Sequence, residues 1–156
     1  MKTSVVASID TFAFRAAVEH RHALVAEAEG IDWDERYPGW RGKYASFYEE
    51  PFKFGAATLI ACEERSAYVG SCIASVQHEF RSFTIGMGIG SVNGLYVLPD
   101  FRDRQIGSAL VTAAVDWLNA RGCPVVRLHP SENSAQFYRR LGFRPIQELE
   151  YGSVQR

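Results

Sequence analysis

Between Val97 and Leu110 the chain reads VLPDFRDRQIGSAL, which sets Arg102, Asp103, Arg104, Gln105, Ile106, Gly107 and Ser108 at the junction of a strand-like run and a helix-like run. Such a junction can hold an anion. The start of a helix leaves its first N–H groups unpaired and carries a partial positive charge. Phosphates dock at such points. Arg102 and Arg104 add full charges with donors suited to phosphate. Gly107 and Ser108 keep bulk low where a ligand would approach. The same residues also read as an ordinary helix cap with solvated arginines, so the junction alone leaves both readings open.

Other reactive groups lead less far. Gly86, Gly88 and Gly90 resemble half of a dinucleotide fingerprint, but a strand pattern follows them instead of a helix. A flexible strand connection accounts for them better. Cys62, Cys72 and Cys123 are odd in number and lack a Cys-x-x-Cys spacing. Buried free thiols in a reducing cytoplasm are expected, not a disulfide framework or a zinc knuckle. Cys62 and Cys72 could face each other across a hairpin. His20 and His22 stand two apart on a helix and do not share a face, so no metal site is expected.

The elements that position these groups come from the whole chain. Its 156 residues are 47% hydrophobic and 22% charged, as expected for one soluble globular domain over residues 1–156. A net charge of −1 argues against a nucleic-acid partner but leaves room for a phosphorylated small molecule. The start, MKTSVVASIDTFAF, lacks the apolar length of a signal segment. No apolar run approaches the roughly 18 residues of a membrane span, so a cytoplasmic protein without a membrane partner is expected.

A short strand is expected over Ser4 to Ala7. Asp10 or Thr11 then caps a helix that runs to about Glu29 and stops at Gly30. IDWDERYPGW reads as a loop, and WRGKYASFYEE as a helix ending before Pro51. FGAATLIACEE and AYVGSCIASVQHEF read as a hairpin, and SVNGLYVLP as the next strand, ended by Pro99. Ile106, Ala109, Leu110, Ala113, Ala114, Trp117 and Leu118 form one apolar helix face, stopped by Gly122 and Pro124. VVRLH is a short strand, SENSAQFYRRLGF a helix closing at Gly142, and RPIQELEY a last strand. The order β-α-α-β-β-β-α-β-α-β is that of a mixed α/β domain.

LYVLPDFRDRQIGSALVTAAVDWLNARGC resembles the acetyl-CoA-binding segment of the GNAT superfamily of N-acetyltransferases. That family's loop reads Gln/Arg-x-x-Gly-x-Gly/Ala. Arg102 takes its first place, Gln105 that of its first glycine and Gly107 the last. The family's later Tyr-x-x-x-Gly-Phe is matched by Tyr138, Gly142 and Phe143 in FYRRLGF. The likeness covers Val92 to Pro145. Gln105 departs from glycine, and Ser131 stands where relatives often have Asn. In the first turn of a helix φ is negative, so Gln is acceptable if the loop already turns into the helix by 105, its side chain then pointing away from the pyrophosphate or reaching round it as a further donor.

The resemblance implies a central twisted, mostly antiparallel sheet with splayed fourth and fifth strands, flanked by about four helices. It implies acetyl-CoA as the acetyl-donor cosubstrate. The pantetheine arm would bond the backbone of Leu95, Tyr96 and Val97. The thioester carbonyl would lie near an N–H of Val97 or Leu98. The pyrophosphate would lie on Arg102 to Ser108, and Ser131, at the place of the family's Asn, would join the cofactor site; as a residue type it can also cap the later helix. Tyr138 would touch the cofactor and protonate the departing thiolate, since a phenol near pKa 10 is protonated at neutral pH.

The implied acceptor is a primary amine of a small molecule, attacking the thioester directly. Relatives often place a Glu base near Asn93, where Asn cannot serve. Glu79, His129, Asp32, Asp34, Glu35 or a water chain remain open for that role. Carboxylates and the faces of Trp33, Tyr37 or Trp40 in DWDERYPGW could attract a cationic amine. A solvated loop with anchoring aromatics is the other reading of that segment. The strand region also resembles aminoglycoside acetyltransferases. A non-catalytic acyl-CoA-binding or sensor module of the same fold is the alternative function, and a homodimer is left open.

Overall fold

The computed structural model describes residues 1–78 and 88–149. Strands β1 (Lys2–Val6), β2 (Ala57–Glu64), β3 (Ala67–His78), β4 (Gly88–Val97) and β5 (Val126–Arg127) lie in chain order in one sheet. The first four pair antiparallel, and β5 runs parallel to β4. Arg65 and Ser66 link β2 to β3 with φ of 50° and 63°. Two left-handed residues give a two-residue hairpin turn whose twist matches the flanking strands.

Helices cover both sheet faces. On one side α1 (Phe12–Glu29) and α3 (Trp40–Lys53) bring Phe14, Val18, Trp40 and Phe52 onto Leu59, Ala61 and Ile73. On the other, α4 (Ile106–Asn119) lays Ile106, Leu110, Ala114 and Leu118 on Ile60, Cys62, Cys72 and Val92. The period of the α4 stripe is the expected one, and each large side chain buried this way contributes about 1.5–3 kcal/mol. Thr11 Oγ1 accepts the Phe14 N–H at 3.1 Å, and Gly30 closes α1 with φ 67°, so both ends of that helix lie where expected. Among the described residues no helix is long and apolar enough to cross a membrane.

Several expectations are corrected. The acidic segment holds a short helix, α2 (Trp33–Arg36), because Asp32 Oδ1 accepts the Asp34 N–H at 2.8 Å and caps it. Helix α3 runs through Pro51. Proline there removes one bond near the helix end, while Phe52 behind it is buried at 5% exposure. β4 starts at Gly88, so Gly88 and Gly90 are strand residues and not part of a loop. A Cβ on Gly88 would lie 2.2 Å from Val76 Cγ1, and one on Gly90 2.8 Å from Leu118 Cδ1. Close packing explains these two glycines; Gly86 lies outside the described residues.

The hairpin register sets Cys62 against Gly70 and Cys72 against Ile60, so the two thiols are not opposed, and all three cysteines are free and buried. The last helix, α5 (Ala135–Arg140), begins later than expected. Residues 144–149 form no strand. Glu148 reaches Arg127 at 3.6 Å, but β5 is two residues long and offers too short a ladder to pair with.

Candidate functional site

The site is built on β4. Ile73 pairs with Asn93 and Ser71 with Tyr96, so Cys72 faces two residues, Gly94 and Leu95. This is a bulge, and Gly94 takes it with φ 63°. On the other side β5 pairs only with Gly90 and Ser91. Among the described residues no strand pairs with that edge of β4 from Val92 onward, because β5 ends at Arg127.

The peptide directions along this edge follow from one bond. The Leu98 N–H donates to Val69 O at 2.9 Å. Alternation then turns the Tyr96 peptide toward β3 and those of Leu95 and Val97 toward the open side. Tyr96 was expected to lend backbone groups to the edge. It pairs with Ser71 instead, and turns its phenol toward α1. The Leu98 N–H is also committed, which leaves the Val97 N–H of the two candidates for a carbonyl partner.

A 3₁₀ turn, Pro99–Phe101, carries the chain from β4 to α4. Asp103 and Gln105 then take φ of 58° and 61°. The condition set for Gln105 is thus not met: the chain turns into α4 one residue later, and Gln105 is the residue that makes the turn. Left-handed backbone costs a residue with a Cβ roughly 1–2 kcal/mol. Gln105 makes no side-chain cap, and the first bond into the helix runs from Ala109 N to Gln105 O at 3.0 Å. The N–H groups of Ile106, Gly107 and Ser108 therefore have no partner within α4. They sit at the positive end of a 14-residue helix. The Ile106 side chain is buried in the core at 1% exposure, so that residue can offer a ligand only its backbone.

The loop arginines are held by carboxylates and are not simply solvated. Arg104 Nη2 donates to both oxygens of Glu64 at 2.8 and 3.0 Å, and this bond holds the Glu64 carboxyl below its usual range. Arg102 Nη2 donates to Glu27 at 2.7 and 3.0 Å, and Arg102 Nε to Val97 O at 3.0 Å. Asp103 is exposed.

Sequence reasoning missed Glu27 and His20. The Tyr96 hydroxyl donates to Glu27 Oε1, and this bond, with the Arg102 guanidinium, holds the Glu27 carboxyl low. His20 Nδ1 lies 2.8 Å from Ser71 Oγ, and burial pushes its pKa down. The two are seven apart on α1, so both face β4. Polar residues on the sheet-facing side of that helix were the signal.

Tyr138 lies half-buried on α5, its ring 5.0 Å from Phe137 and 5.8 Å from Phe143. Phe137 rests on the first turn of α4, where a Cβ on Gly107 would come within 3.4 Å of its ring. Burial, with a smaller contribution from the nearby Cys72 thiol, pushes the Tyr138 phenol up to about 12. A groove of about 880 Å³ opens beside it, lined by Val115, Asn119, Arg127, Phe143 and Ile146. Ser131 does not cap α5: its Oγ bonds Ser134 Oγ at 2.9 Å in the turn before the helix.

The other base candidates are spread apart. His129 is 85% exposed and faces Glu148 at 4.0 Å. Asp32 caps α2, Glu35 is exposed on it, and Glu79 lies outside the described residues. Asn93 Nδ2 donates to Ser91 Oγ at 3.0 Å. Asp34 is bound by Arg41 and by the Trp40 indole, which hold its carboxyl down at about 2. His22, Asp32 and Asp34 bring three potential ligand atoms within 4.8 Å, but the carboxylates already have these partners. Arg21 lies over Trp33 at 5.6 Å and Arg41 over Trp40 at 4.7 Å. Trp33 and Trp40 thus each carry an arginine of the chain over one face, while Tyr37 is exposed.

Residues 19–143 match the model of the acetyltransferase (GNAT) family. A glucosamine 6-phosphate N-acetyltransferase of Trypanosoma brucei brucei is 32% identical over 91 residues, which is 58% of this chain and 60% of that protein. The chain thus matches less than two thirds of that relative's length. A GCN5-related N-acetyltransferase from Ralstonia eutropha superposes with a TM-score of 0.83 at 22% identity, over 97% of both chains. A predicted acetyltransferase from Clostridium acetobutylicum, solved with acetyl-CoA, superposes with 0.82 at 16% identity, over 97% of this chain and 95% of that one. These two structures share the fold. The family match spans most of the chain, and the protein belongs to the GNAT family of acetyltransferases.

Proposed function

We propose that the chain is an N-acetyltransferase that moves an acetyl group from acetyl-CoA to a primary amine of a small molecule. The observation that carries this reading is the open edge of β4 beside an uncapped α4. The two together suit a ligand with an extended amide arm and a pyrophosphate. The open edge supplies peptide groups at Leu95 and Val97. The helix start supplies the N–H groups of Ile106, Gly107 and Ser108, with Arg102 and Arg104 within the same turn.

Acetyl-CoA, the acyl donor of this family, supplies an activated acetyl thioester. The chain then has three tasks. Leu95 and Val97 fix the donor arm as a further strand would. The Val97 N–H donates to the carbonyl oxygen as negative charge builds there. Tyr138 keeps its proton through the neutral range and gives it to the departing sulfur, while the proton that the attacking amine releases passes to water and restores the phenol. With the phenol pushed up to about 12, this transfer to a thiolate is uphill, and hydrogen bonding that stabilises the phenolate as it forms must assist it.

A small amine acceptor agrees with the Trypanosoma relative, whose name gives an amino sugar phosphate. Three buried free thiols suit a reducing cytoplasm. The reading treats residues 1–156 as one catalytic domain.

The test follows release of the coenzyme A thiol from acetyl-CoA over a panel of primary amines. At least one amine is expected to accelerate release well above hydrolysis. Tight coenzyme A binding without acceleration by any amine would point to an acyl-CoA-binding module instead.

A further inference from the structure

Glu27 occupies a poor place for a negative charge. It lies in the last turn of α1, where the helix carries partial negative charge and no basic residue balances it. Its partners come from the other end of the fold. The Tyr96 hydroxyl of β4 donates to it, and Arg102 Nη2 donates to both of its oxygens. The same guanidinium donates from Nε to Val97 O at 3.0 Å. One arginine therefore spans the open edge of β4 and the Glu27 carboxylate. Glu27 lies on the α1 side of the sheet. On the opposite side Phe137 rests on Gly107 of α4, and the Tyr138 ring lies 5.0 Å from that of Phe137.

We propose that Glu27 receives the ammonium group of the acceptor, and that Arg102 covers it in the free chain. The proposal rests on the acetyltransferase reading above. Arg102 stands four residues before the unpaired N–H groups of α4, and phosphates bound there compete for its guanidinium. Drawn toward them, Arg102 uncovers a carboxylate still bonded by Tyr96, on the face of β4 from which an amine can reach the Val97 edge. It also vacates the Tyr96 ring, over which the guanidinium now sits at 5.4 Å. A primary ammonium fits both openings, with donors for the carboxylate and charge for the ring face. His20, 5.7 Å from that ring, is kept neutral by burial and adds no competing cation. The acceptor class is a cationic amine with no carboxylate beside its amino group, since such a carboxylate would face Glu27.

The test uses the full chain and the variants Glu27→Gln and Glu27→Asp. Calorimetry with coenzyme A comes first, because it needs no acceptor. Glu27→Gln is expected to bind coenzyme A as tightly as the parent or tighter, since it holds Arg102 back less. Kinetics then use the panel amine that the parent turns over fastest. Glu27→Gln is expected to raise KM for that amine about tenfold or more, the loss of one charge-assisted bond, with a smaller change in kcat. Glu27→Asp should restore part of the loss. A clamp that only holds α1 to the loop predicts the reverse: weaker coenzyme A binding, a lower melting temperature and an unchanged amine KM. That pattern, or a KM within twofold of the parent, overturns the proposal. If the parent binds coenzyme A but turns over no amine, the enzyme reading fails and the acceptor role falls with it. Weaker coenzyme A binding by Glu27→Gln overturns the covering role of Arg102 by itself.

Discussion

Asp103 and Gln105 hold left-handed backbone on either side of Arg104, with φ of 58° and 61°. Asp tolerates this conformation better than Gln does. Gln105 thus carries strain that the glycine usual at its position in relatives would not. Gln105→Gly is expected to raise stability by up to about 1 kcal/mol, because relief of strain exceeds the entropy gained by the unfolded chain. Coenzyme A affinity should stay equal or improve. Chemical denaturation and calorimetry check both values, and a large loss of affinity would show that the Gln105 side chain is itself a ligand.

Gly107 separates stability from binding. A Cβ there would meet Phe137 Cζ at 3.4 Å and Val97 Cγ2 at 3.9 Å, which are ordinary contacts. Gly107→Ala should therefore stabilise the first turn of α4 by about 0.5–1 kcal/mol. If the pyrophosphate approaches the backbone at this turn, the methyl group stands in its way. Coenzyme A affinity should then fall about tenfold while the melting temperature rises. Unchanged affinity would move the pyrophosphate off Gly107.

The parts of the fold legible in the sequence are those set by nearby residues. Thr11 and Gly30 marked both ends of α1, and the stripe from Ile106 to Leu118 marked α4 and its buried face. The junction of β4 and α4 was legible for the same reason. What was hidden depends on distant partners or on backbone that residue type does not announce. Arg102 and Glu27 are 75 residues apart, and His20 and Ser71 are 51 apart. Gln105 does not advertise a positive φ. Gly94 looked like one more glycine, and only the pairing of Cys72 shows that it makes the bulge. Gly88 and Gly90 looked like a loop because the neighbours that require them, Val76 and Leu118, are remote in sequence.

Tyr138→Phe keeps the ring packing against Phe137 and Phe143 and removes only the hydroxyl. Turnover is expected to fall about a hundredfold, the usual loss for a missing general acid, with coenzyme A affinity within twofold. Because burial pushes the phenol up to about 12, Tyr138 stays protonated through pH 10. Any alkaline fall in parent kcat below that pH should therefore persist unchanged in the variant. Equal turnover in Tyr138→Phe would remove the residue from the mechanism.

Gly90 lets β5 and α4 approach the paired end of β4 closely. A Cβ there would lie 2.8 Å from Leu118 Cδ1 and 3.1 Å from Val126 Cγ2. Leu118 is fully buried and has little freedom to give way. Gly90→Ala is expected to cost about 1–3 kcal/mol by overpacking and to push β5 from β4. Coenzyme A affinity should drop with it, since the gap would widen at its root. A variant of parental melting temperature and affinity would show that α4 and β5 yield more easily than their burial implies.

His20 gives the protein an acid-sensitive core. Burial lowers its folded pKa below the usual 6.5, with bonding to Tyr68 and the charge of Glu19 opposing in part. Below pH 6.5 the unfolded chain therefore binds more protons than the folded one, and stability falls as pH drops. The contribution is fully present above 6.5 and is lost as pH falls toward the folded value. The lowered carboxyls of Glu19, Glu27 and Glu64 act in a separate window, below their usual 4.5. Melting temperature should thus decline between pH 7.5 and 5.5 in the parent. His20→Gln keeps a polar partner for Ser71 and cannot titrate, so its melting temperature should be lower at pH 7.5 and flatter across the same range. An equally steep decline in that variant would assign the acid sensitivity to another group.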